Sequence, residues 1–215
     1  MRLDRVIALV LILCASVSGA QTDISGVSGG QGQQEIAAAE NRAVDAVSAV
    51  AGEALRIYQS PPRERLPELV QLVERSTDWG FVLRNTVPPA LVSALSDGER
   101  RDLSESLLKV TAQSYAAAFQ AYQGEVIDVL SVNTIGPGVA CVGTRLRGGT
   151  VESDISLDWI VADLGQNRLG LRDLIIDNTS MLASQQLNLE TLWSVVEEDK
   201  AEFLRRLALP DPWEE

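Results

Sequence analysis

Four extended segments between Gly124 and Ser180 constrain the fold of this chain more than any other part of its sequence. Turn residues separate the segments, at Gly136-Pro137-Gly138, Gly148-Gly149 and Gly165-Gln166-Asn167. Short breaks of this kind between β-branched runs are typical of hairpins, and hairpins make neighbouring strands antiparallel. The sequence therefore predicts a four-stranded antiparallel sheet, with strands at Glu125–Ile135, Val139–Arg147, Val151–Val161 and Arg168–Asp177.

The third of these segments alternates between apolar and polar residues. Leu157, Trp159 and Val161 fall on one face of the predicted strand, whereas Ser156 and Asp158 fall on the other. A period of two with one apolar face indicates a sheet that is covered on one side and solvated on the other. Because the sequence on both flanks is helical in pattern, we expect an α+β fold in which helices cover one face of a curved four-stranded antiparallel sheet.

Amphipathic patterns predict the flanking helices. Residues 35–58 carry one apolar stripe, and Val87-Pro88-Pro89 separates two short helices that follow. The spacing of Ser96-Asp97-Gly98-Glu99 is that of a capping box, and it opens the longest helix, which we expect to continue to about Gln123. A helical C-terminal region is expected from Ser180 to Leu207, with an interruption near Leu187-Asn188.

The first twenty residues have the features of a secretory signal peptide. Arg2 and Arg5 precede an apolar run that extends from Val6 to Leu13. Ser18-Gly19-Ala20 is a small-residue cleavage site. Cys14 is a poor candidate for a lipid anchor, because Leu13 stands where such a signal needs a small residue. We therefore expect a signal peptide at 1–20, a flexible leader at 21–34, a single domain at 35–207 and a C-terminal tail at 208–215.

Charge and composition exclude several functions. The formal net charge of −12 disfavours binding to nucleic acid or to a bare anionic membrane. The chain has no histidine, which removes Ser–His and Cys–His catalysis and the commonest metal ligand. Removal of the signal peptide leaves Cys141 as the single cysteine, so we expect neither a disulfide nor a thiolate zinc site. Its position in a strand predicts a buried, inert thiol.

Acidic residues on the predicted sheet leave an enzymatic alternative open. Asp154 and Asp158 share the polar face of the third strand, and Asp173 and Asp177 repeat the same spacing on the fourth. A pair of carboxylates in a cleft could perform acid–base chemistry. A solvated sheet face explains the same pattern, and the clean alternation of the third strand favours that interpretation.

Apolar residues suggest a different site, enclosed between the sheet and a helix. The first predicted strand is apolar on both faces, and Leu174, Ile175 and Ile176 are consecutive. Alanines at 112, 117 and 121 make the end of the longest helix thin, and we expect this helix to lie opposite the third strand. Such an arrangement either packs closely or leaves a cavity for an apolar ligand.

The order of these motifs resembles that of the MlaC family of periplasmic phospholipid-binding proteins, also called toluene-tolerance auxiliary proteins. The likeness covers about Leu66 to Leu207. The motifs that carry it are Asp78-Trp79 through Val87-Pro88, Leu95-Ser96-Asp97-Gly98-Glu99-Arg100, Tyr115, Tyr122-Gln123-Gly124-Glu125, Leu157-Asp158-Trp159-Ile160-Val161, and Arg172-Asp173-Leu174-Ile175-Ile176-Asp177 followed by Ser180-Met181-Leu182. The chain departs from the family pattern at Asn178, where the family has glycine, at Leu169-Gly170, where it has Trp-Lys, and at Ser184-Gln185-Gln186, where it has Asn-Tyr-Arg.

This resemblance implies an NTF2-like fold and a non-enzymatic role as a periplasmic lipid carrier. It implies a phospholipid as ligand, with no other cofactor and no metal. It also implies two partners, an inner-membrane ABC transporter complex and an outer-membrane lipoprotein complex. The residues that we expect to line the lipid cavity are Phe81, Leu107, Val110, Tyr115, Ala118, Val142, Leu146, Leu157, Trp159, Val161, Leu171 and Ile175.

Overall fold

The computed structural model describes residues 29–118, 124–148, 154–166 and 168–209. Within these residues, five helices precede an antiparallel sheet and two helices follow it. The helices are α1 (Gly29–Tyr58), α2 (Pro62–Ser76), α3 (Trp79–Thr86), α4 (Pro89–Ala94), α5 (Asp97–Ala118), α6 (Met181–Val195) and α7 (Lys200–Leu207). The strands are β1 (Val126–Gly136), β2 (Val139–Arg147), β3 (Ile155–Asp163), β4 (Leu169–Ile176) and β5 (Thr179–Ser180).

The helix starts follow from local side-chain bonds. The predicted capping box forms at the start of α5, where the Ser96 amide donates to Glu99 Oε2 over 2.8 Å and the Glu99 amide donates to Ser96 Oγ over 3.3 Å. Asp78 caps α3 by accepting from the Phe81 amide. The two short helices α3 and α4 are separated at Val87-Pro88, as the sequence predicts.

The strands pair in chain order, and each pair is antiparallel. The α+β class and the helical cover on one face are thus confirmed, and the sheet gains a two-residue fifth strand. Asp177 and Asn178 join β4 to β5 with φ values of 45° and 67°. Both central residues of a two-residue hairpin turn of this kind adopt left-handed geometry, which Asn and Asp accept more readily than most residues.

The alternation predicted for β3 is present in the structure. Leu157, Trp159 and Val161 are buried on the face that packs against helices, whereas Ser156 is exposed on the other face. Two buried polar side chains also have hydrogen-bond partners within the sheet. Trp159 Nε1 donates to Thr144 Oγ1 over 2.9 Å, and that hydroxyl donates to the Leu157 carbonyl over 3.1 Å. This pairing removes the cost of burying the two polar groups.

A bulge in β4 changes which of its side chains face the helices. Leu171 pairs with Val161 and Asp173 pairs with Ile160, so Arg172 is an extra residue. Beyond the bulge Leu174, which pairs with Trp159, packs on the buried face. An alternation counted along the sequence without the bulge gives the wrong face for the end of this strand.

Buried side chains form three clusters. The sheet cluster lies between the covered face of the sheet and α1, the inter-helix cluster joins α1, α2 and α5, and the helical cluster joins α4 to α7. In the inter-helix cluster Ile57 is fully buried, and Tyr58 Oη donates to the Tyr115 carbonyl over 2.7 Å. The C-terminal half of α1 is therefore firmly anchored to its neighbours.

Two helix boundaries differ from the predictions. Helix α1 begins at Gly29, within the segment expected to be a flexible leader. The C-terminal interruption lies at 196–199, not near Leu187-Asn188, because Leu189 and Leu192 are buried in the helical cluster and keep α6 continuous. Glu197 and Glu198 form the actual break, with φ values of 53° and 61°.

Some predictions concern residues that lie outside the described ranges. These are the signal peptide with its cleavage site at Ala20, the end of the longest helix beyond Ala118, and most of the C-terminal tail. Within the described residues, no helix combines the length and the apolar character that crossing a membrane requires.

Candidate functional site

The covered face of the sheet and α1 form an apolar interface, which opens into a groove beneath the N-terminal half of the helix. The sheet contributes Val142, Leu146, Leu157, Trp159, Val161, Leu171 and Leu174, all of which are buried. Helix α1 contributes Ala43, Val47 and Ala51, with Val44, Val50 and Leu55 packed beside them. This set contains the apolar stripe predicted for residues 35–58. Small residues at 43 and 51 let the helix lie close to the sheet.

A cavity of about 480 Å³ opens at one end of this groove, beneath the first turns of α1. Ile36, Ala39 and Ala43 line it from the helix, one helical turn apart from each other. On the sheet side it is bordered by the β1–β2 turn at 136–138, by Val161 and by Leu169. The two alanines carry too little side chain to fill the space between helix and sheet. The volume that remains is lined mainly by apolar groups, although Glu35, Arg42, Thr134 and Asp163 also border it.

A much smaller cavity of about 20 Å³ continues the groove inward. Val161 and Leu169 border both cavities, and Val47, Val50 and Trp159 border the inner one. Because they share these two residues, the two cavities adjoin each other. The groove is therefore wide at the N-terminal end of α1 and nearly closed at its middle.

Two polar contacts hold the N-terminal half of α1 over the wide cavity. Glu40 Oε1 accepts from both the amide and the hydroxyl of Thr134 on β1, each over 3.1 Å. Arg42 Nη2 lies 3.5 Å from Asp163 Oδ2 on β3. Both contacts are exposed, and an exposed ion pair contributes roughly 0–1 kcal/mol. This half of α1 is thus held less firmly than its C-terminal half.

The predicted cavity residues divide among several environments. Val142, Leu146, Leu157, Trp159, Val161 and Leu171 belong to the sheet cluster, and Tyr115 packs beside it. Leu107 and Val110 lie in the helical cluster instead. Phe81 packs beneath the guanidinium of Arg172, 4.5 Å from the ring centroid. The side chain of Ala118 lies outside the described part of the chain.

Ile175 is placed away from the groove by the bulge at Arg172. It pairs with Asp158, whose side chain points to the uncovered face, and it is absent from the sheet cluster, which contains its neighbour Leu174. The expected thin face of α5 is also not where the groove lies. Ala112 is fully buried in the inter-helix cluster, and Ala117 is exposed.

The groove residues of α1 were missing from the prediction. Ile36, Ala39 and Ala43 are spaced like one face of a helix, and this spacing was a detectable signal. The sequence predicts an apolar stripe on residues 35–58, but it does not indicate that this stripe packs against the sheet. The sequence analysis also placed Ile36 and Ala39 at the very start of the expected domain, next to the segment that was expected to be a flexible leader.

Three of the four candidate acidic residues, Asp154, Asp173 and Asp177, have structural partners. Asp154 lies 3.5 Å from Arg145, and Asp177 accepts from the Ser156 amide over 2.9 Å. Asp173 accepts from Ser180 Oγ over 2.6 Å and from the Leu182 amide over 2.9 Å, which holds the start of α6 against β4. These acids therefore have roles that need no chemistry.

Cys141 is half-buried rather than fully buried. It pairs with Ile160 on the uncovered face of the sheet. Partial burial raises the pKa of its thiol, and the nearby Asp158 charge raises it further, so the thiolate that reacts with labelling reagents is disfavoured. Among the described residues, no group of three or more His, Cys, Asp or Glu side chains is arranged to hold a metal ion.

The antiparallel sheet, its helical cover and the groove between them define an α+β domain with an apolar interior site. Comparisons with known proteins agree with this class. The family model described as "MlaC protein" matches residues 41–194, and the chain belongs to the MlaC family. No curated protein matches the chain.

A solved structure with a similar fold is the phospholipid-binding protein from Ralstonia solanacearum in complex with a phospholipid. The TM-score is 0.59 and the sequence identity is 13%, and the match covers 77% of this chain and 98% of that one. At this identity the likeness concerns the fold.

Proposed function

We propose that this protein is a periplasmic phospholipid carrier whose groove between α1 and the sheet holds the acyl chains. The observation that carries the proposal is the cavity of about 480 Å³ beneath the first turns of α1, whose mainly apolar lining includes Ile36, Ala39, Ala43, Val161 and Leu169. Ligand pockets commonly measure about 300–1,000 Å³ and are lined mostly by apolar side chains. Family membership and the phospholipid of the Ralstonia solanacearum protein support the same ligand.

The physical need for such a carrier follows from the hydrophobic effect. The two chains of a phospholipid contain about thirty CH₂ groups, and exposing each to water costs ~0.8 kcal/mol, or roughly 20–25 kcal/mol in all. A lipid therefore crosses an aqueous space only inside a protein. The carrier must match the bilayer in apolar character without exceeding it, or it would not release its ligand.

The contacts that hold α1 allow the groove to open by movement of this helix. The inner cavity of about 20 Å³ is too narrow for a chain, so binding requires the N-terminal half of α1 to move away from the sheet. The polar contacts that resist this movement are the exposed ones from Glu40 and Arg42, and the packing of Ala43 and Val47 on the sheet resists it as well. The buried contacts of Ile57 and Tyr58 keep the other half of the helix in place.

The carrier would act in the periplasm, between the inner and the outer membrane. The predicted signal peptide and the family support a periplasmic location. We propose that the protein moves lipid between an inner-membrane ABC transporter complex and an outer-membrane lipoprotein complex. Its net charge of −12 suits docking on protein partners, since an acidic surface avoids anionic lipid headgroups. Chemistry at Asp154, Asp173 and Asp177 is disfavoured by their structural partners.

Blocking the wide cavity tests the proposal. Ala39 lines the cavity, whereas its neighbour Ala38 is exposed and does not. We expect Ala39→Trp to lower the phospholipid that co-purifies with the protein, measured by mass spectrometry of the extract, while Ala38→Trp retains the wild-type amount. Equal lipid content in the two variants would refute the assigned site. A wild-type protein that takes up no phospholipid from vesicles would refute the carrier function.

A further inference from the structure

A cleft with a volume of about 270 Å³ lies between α3, α4 and the start of α5. Most of its lining consists of apolar side chains that belong to the helical cluster or pack against it, namely Leu83, Val87, Val92, Leu95 and Leu103. Leu83 and Val92 are half-buried, so part of this apolar surface is open to solvent. No described residue lines both this cleft and the cavities beneath α1.

Two arginines border this space, which we call the arginine cleft, and none of the described residues that line it is acidic. Arg84 lies back along α3, with a guanidinium nitrogen 3.2 Å from where a β-carbon on Gly80 would stand. Arg100 donates from Nε to the Leu95 carbonyl over 3.3 Å. Within the described part of the chain, neither arginine forms an ion pair.

The acidic residues near Arg100 in the chain leave both guanidinium groups available. Glu99 is paired with Lys200 over 2.7 Å. Asp97 and Asp102 are exposed on α5, do not line the cleft, and form no ion pair with either arginine. In a chain with a net charge of −12, two such cations beside an apolar cleft favour an occupant with an apolar group and carboxylates next to it.

The chain contains a segment with this chemistry after Leu209, the last described residue. Residues 210–215, which we call the tail segment, have the sequence Pro-Asp-Pro-Trp-Glu-Glu. Its aromatic residue is Trp213, and its acidic residues are Asp211, Glu214 and Glu215. Arginine binds carboxylates through its planar fork and stacks on aromatic rings, so both parts of the tail segment match the arginine cleft. Proline also lowers the conformational entropy that a segment loses on binding.

The tail segment is long enough to reach the arginine cleft. Helix α7 begins near the cleft, because Lys200 Nζ donates to the carbonyl of Ala94, the residue before Leu95, over 3.2 Å. The chain advances about 14 Å from Lys200 to Leu209, at ~1.5 Å per helical residue. Residues 210–213 span about 13–14 Å when extended, at ~3.3–3.6 Å each. They can therefore return along α7 and bring Trp213 to the cleft.

We propose that the tail segment binds in the arginine cleft of its own molecule, with the Trp213 ring against the apolar lining and the neighbouring carboxylates paired with Arg84 and Arg100. A cavity of about 150 Å³ holds one benzene molecule, so about 270 Å³ has room for the two fused rings of an indole. Because segment and cleft belong to one chain, their effective concentration is high and weak contacts are sufficient. The bound segment covers Leu83 and Val92.

NMR relaxation of the indole N–H groups tests the position of Trp213 in the full chain. The chain has four tryptophans, and Trp213→Phe identifies the Trp213 signal by its loss. We expect the order parameter of this indole to lie near about 0.85, as in a rigid backbone, and not below about 0.6, as in a flexible segment. Nuclear Overhauser contacts from the indole to the methyl groups of Val92 and Leu103 should place it in the cleft.

Charge reversal at the cleft should release the tail segment. We expect Arg84→Glu with Arg100→Glu to lower the Trp213 order parameter below about 0.6 and to remove the contacts with the cleft. Ser104→Phe should have the same effect without a change of charge, because Ser104 lines the cleft and a larger side chain would fill it. The Trp159 indole, which is buried and bonded to Thr144, reports in each variant whether the fold is intact.

Arg101→Glu with Lys109→Glu is the matched control. Both residues are exposed on α5, neither lines the cleft, and the net charge changes by the same amount, so this variant should keep the wild-type values. Equal release in this control would contradict a specific role of Arg84 and Arg100. A flexible Trp213 indole in the wild-type protein, or a rigid one with contacts elsewhere, would overturn the proposal.

Dilution separates the molecule's own cleft from that of a second copy. An order parameter that is independent of protein concentration supports binding within one molecule, since the effective concentration of a linked segment does not change on dilution. A Trp213 indole that becomes flexible on dilution would assign the tail segment to the cleft of a neighbouring molecule and would contradict the proposal.

Discussion

The sheet cluster and the helical cluster are both buried and apolar, but they are built from different side chains. The helical cluster consists mainly of large residues such as Leu107, Leu189 and Phe203, and Trp193 packs edge-on against Phe203 with ring centroids 5.7 Å apart. The sheet cluster instead meets α1 through small residues such as Ala43 and Ala51, and cavities lie at this interface. A cavity of about 270 Å³ also borders the helical cluster at Val87, Leu95 and Leu103, so its close packing is found around Leu189 and Phe203. The difference separates this closely packed region, which gives rigidity, from the interface of α1 with the sheet, which can open.

Matched leucine truncations should show the largest contrast between the two clusters. Leu→Ala substitutions in cores cost about 2–5 kcal/mol, depending on the volume of the cavity that remains after the surroundings relax. We expect Leu189→Ala to lie at the upper end, because Leu189 is fully buried among large neighbours. Leu171→Ala should lie at the lower end, because Leu171 already borders two cavities and its side chain is packed against fewer atoms.

Urea denaturation followed by circular dichroism measures both free energies of unfolding. The comparison requires that the two variants unfold with the same dependence on urea as the wild-type protein. Equal costs for Leu189→Ala and Leu171→Ala would mean that the two clusters are packed equally well, and the division into a rigid and an opening part would be wrong.

Removal of the polar contacts on α1 should have a smaller effect on stability and a visible effect on lipid release. Glu40→Ala together with Arg42→Ala should lower the free energy of unfolding by no more than ~1 kcal/mol, because both contacts are exposed. The same change should speed the release of a fluorescent phospholipid to acceptor vesicles by roughly two- to fivefold, the factor that corresponds to this free energy.

Arg56→Ala provides the control for this experiment. Arg56 also lies on α1, but its ion pair with Glu68 over 2.8 Å joins α1 to α2 and not to the sheet. We expect Arg56→Ala to release lipid at the wild-type rate. Faster release in this variant would indicate that any loosening of α1 has the same effect, and the contacts near the wide cavity would then have no special role.

The smallest expected effect concerns an ion pair at the edge of the helical cluster. The Lys200 ammonium 2.7 Å from Glu99, together with the amide and hydroxyl of Ser96, lowers the pKa of Glu99 to about 2. Because the folded state lowers this pKa, the associated stability is present above the ordinary Glu pKa of about 4.3 and disappears as the pH falls towards 2.

Lys200→Met should raise the pKa of Glu99 towards its ordinary value, which an NMR titration of the carboxyl groups would detect. Glu202 serves as an internal reference, since Arg205 and then Arg206 lower its pKa to about 2 and neither contact involves Lys200. A Glu99 pKa that stays near 2 in this variant would show that the Ser96 bonds alone are sufficient.

Much of the fold was predictable because its signals are local. The capping box at Ser96, the break at Val87-Pro88 and the alternation of β3 each depend on residues close together in the chain. The unpredicted features depend on tertiary contacts. An apolar stripe shows that a helix buries one face, but not which partner it meets, and so α5 was expected over the sheet where α1 lies.

The site residues show the same limit in more detail. Leu107 and Val110 are buried as expected, but α5 has apolar residues on several faces, and these two face α6 and α7. Leu171 and Ile175 were both expected in the cavity, as an unbroken alternation would allow, but the extra residue Arg172 puts Ile175 on the other face. A bulge leaves no clear mark in one sequence, whereas the pairing of two strands reveals it at once.

The two edges of the sheet are unequal, and this limits how copies of the chain can associate. At β4 the edge is closed, since the Asp78 amide donates to the Leu171 carbonyl, Thr77 bridges to Leu171, and β5 pairs with Ile175 and Ile176. The edge at β1 has no strand beside it among the described residues. A sheet with one free edge can add a single neighbouring strand and then has none left to offer. Strand-to-strand association therefore ends at a pair of molecules, and a growing fibre would first have to unfold the β4 side.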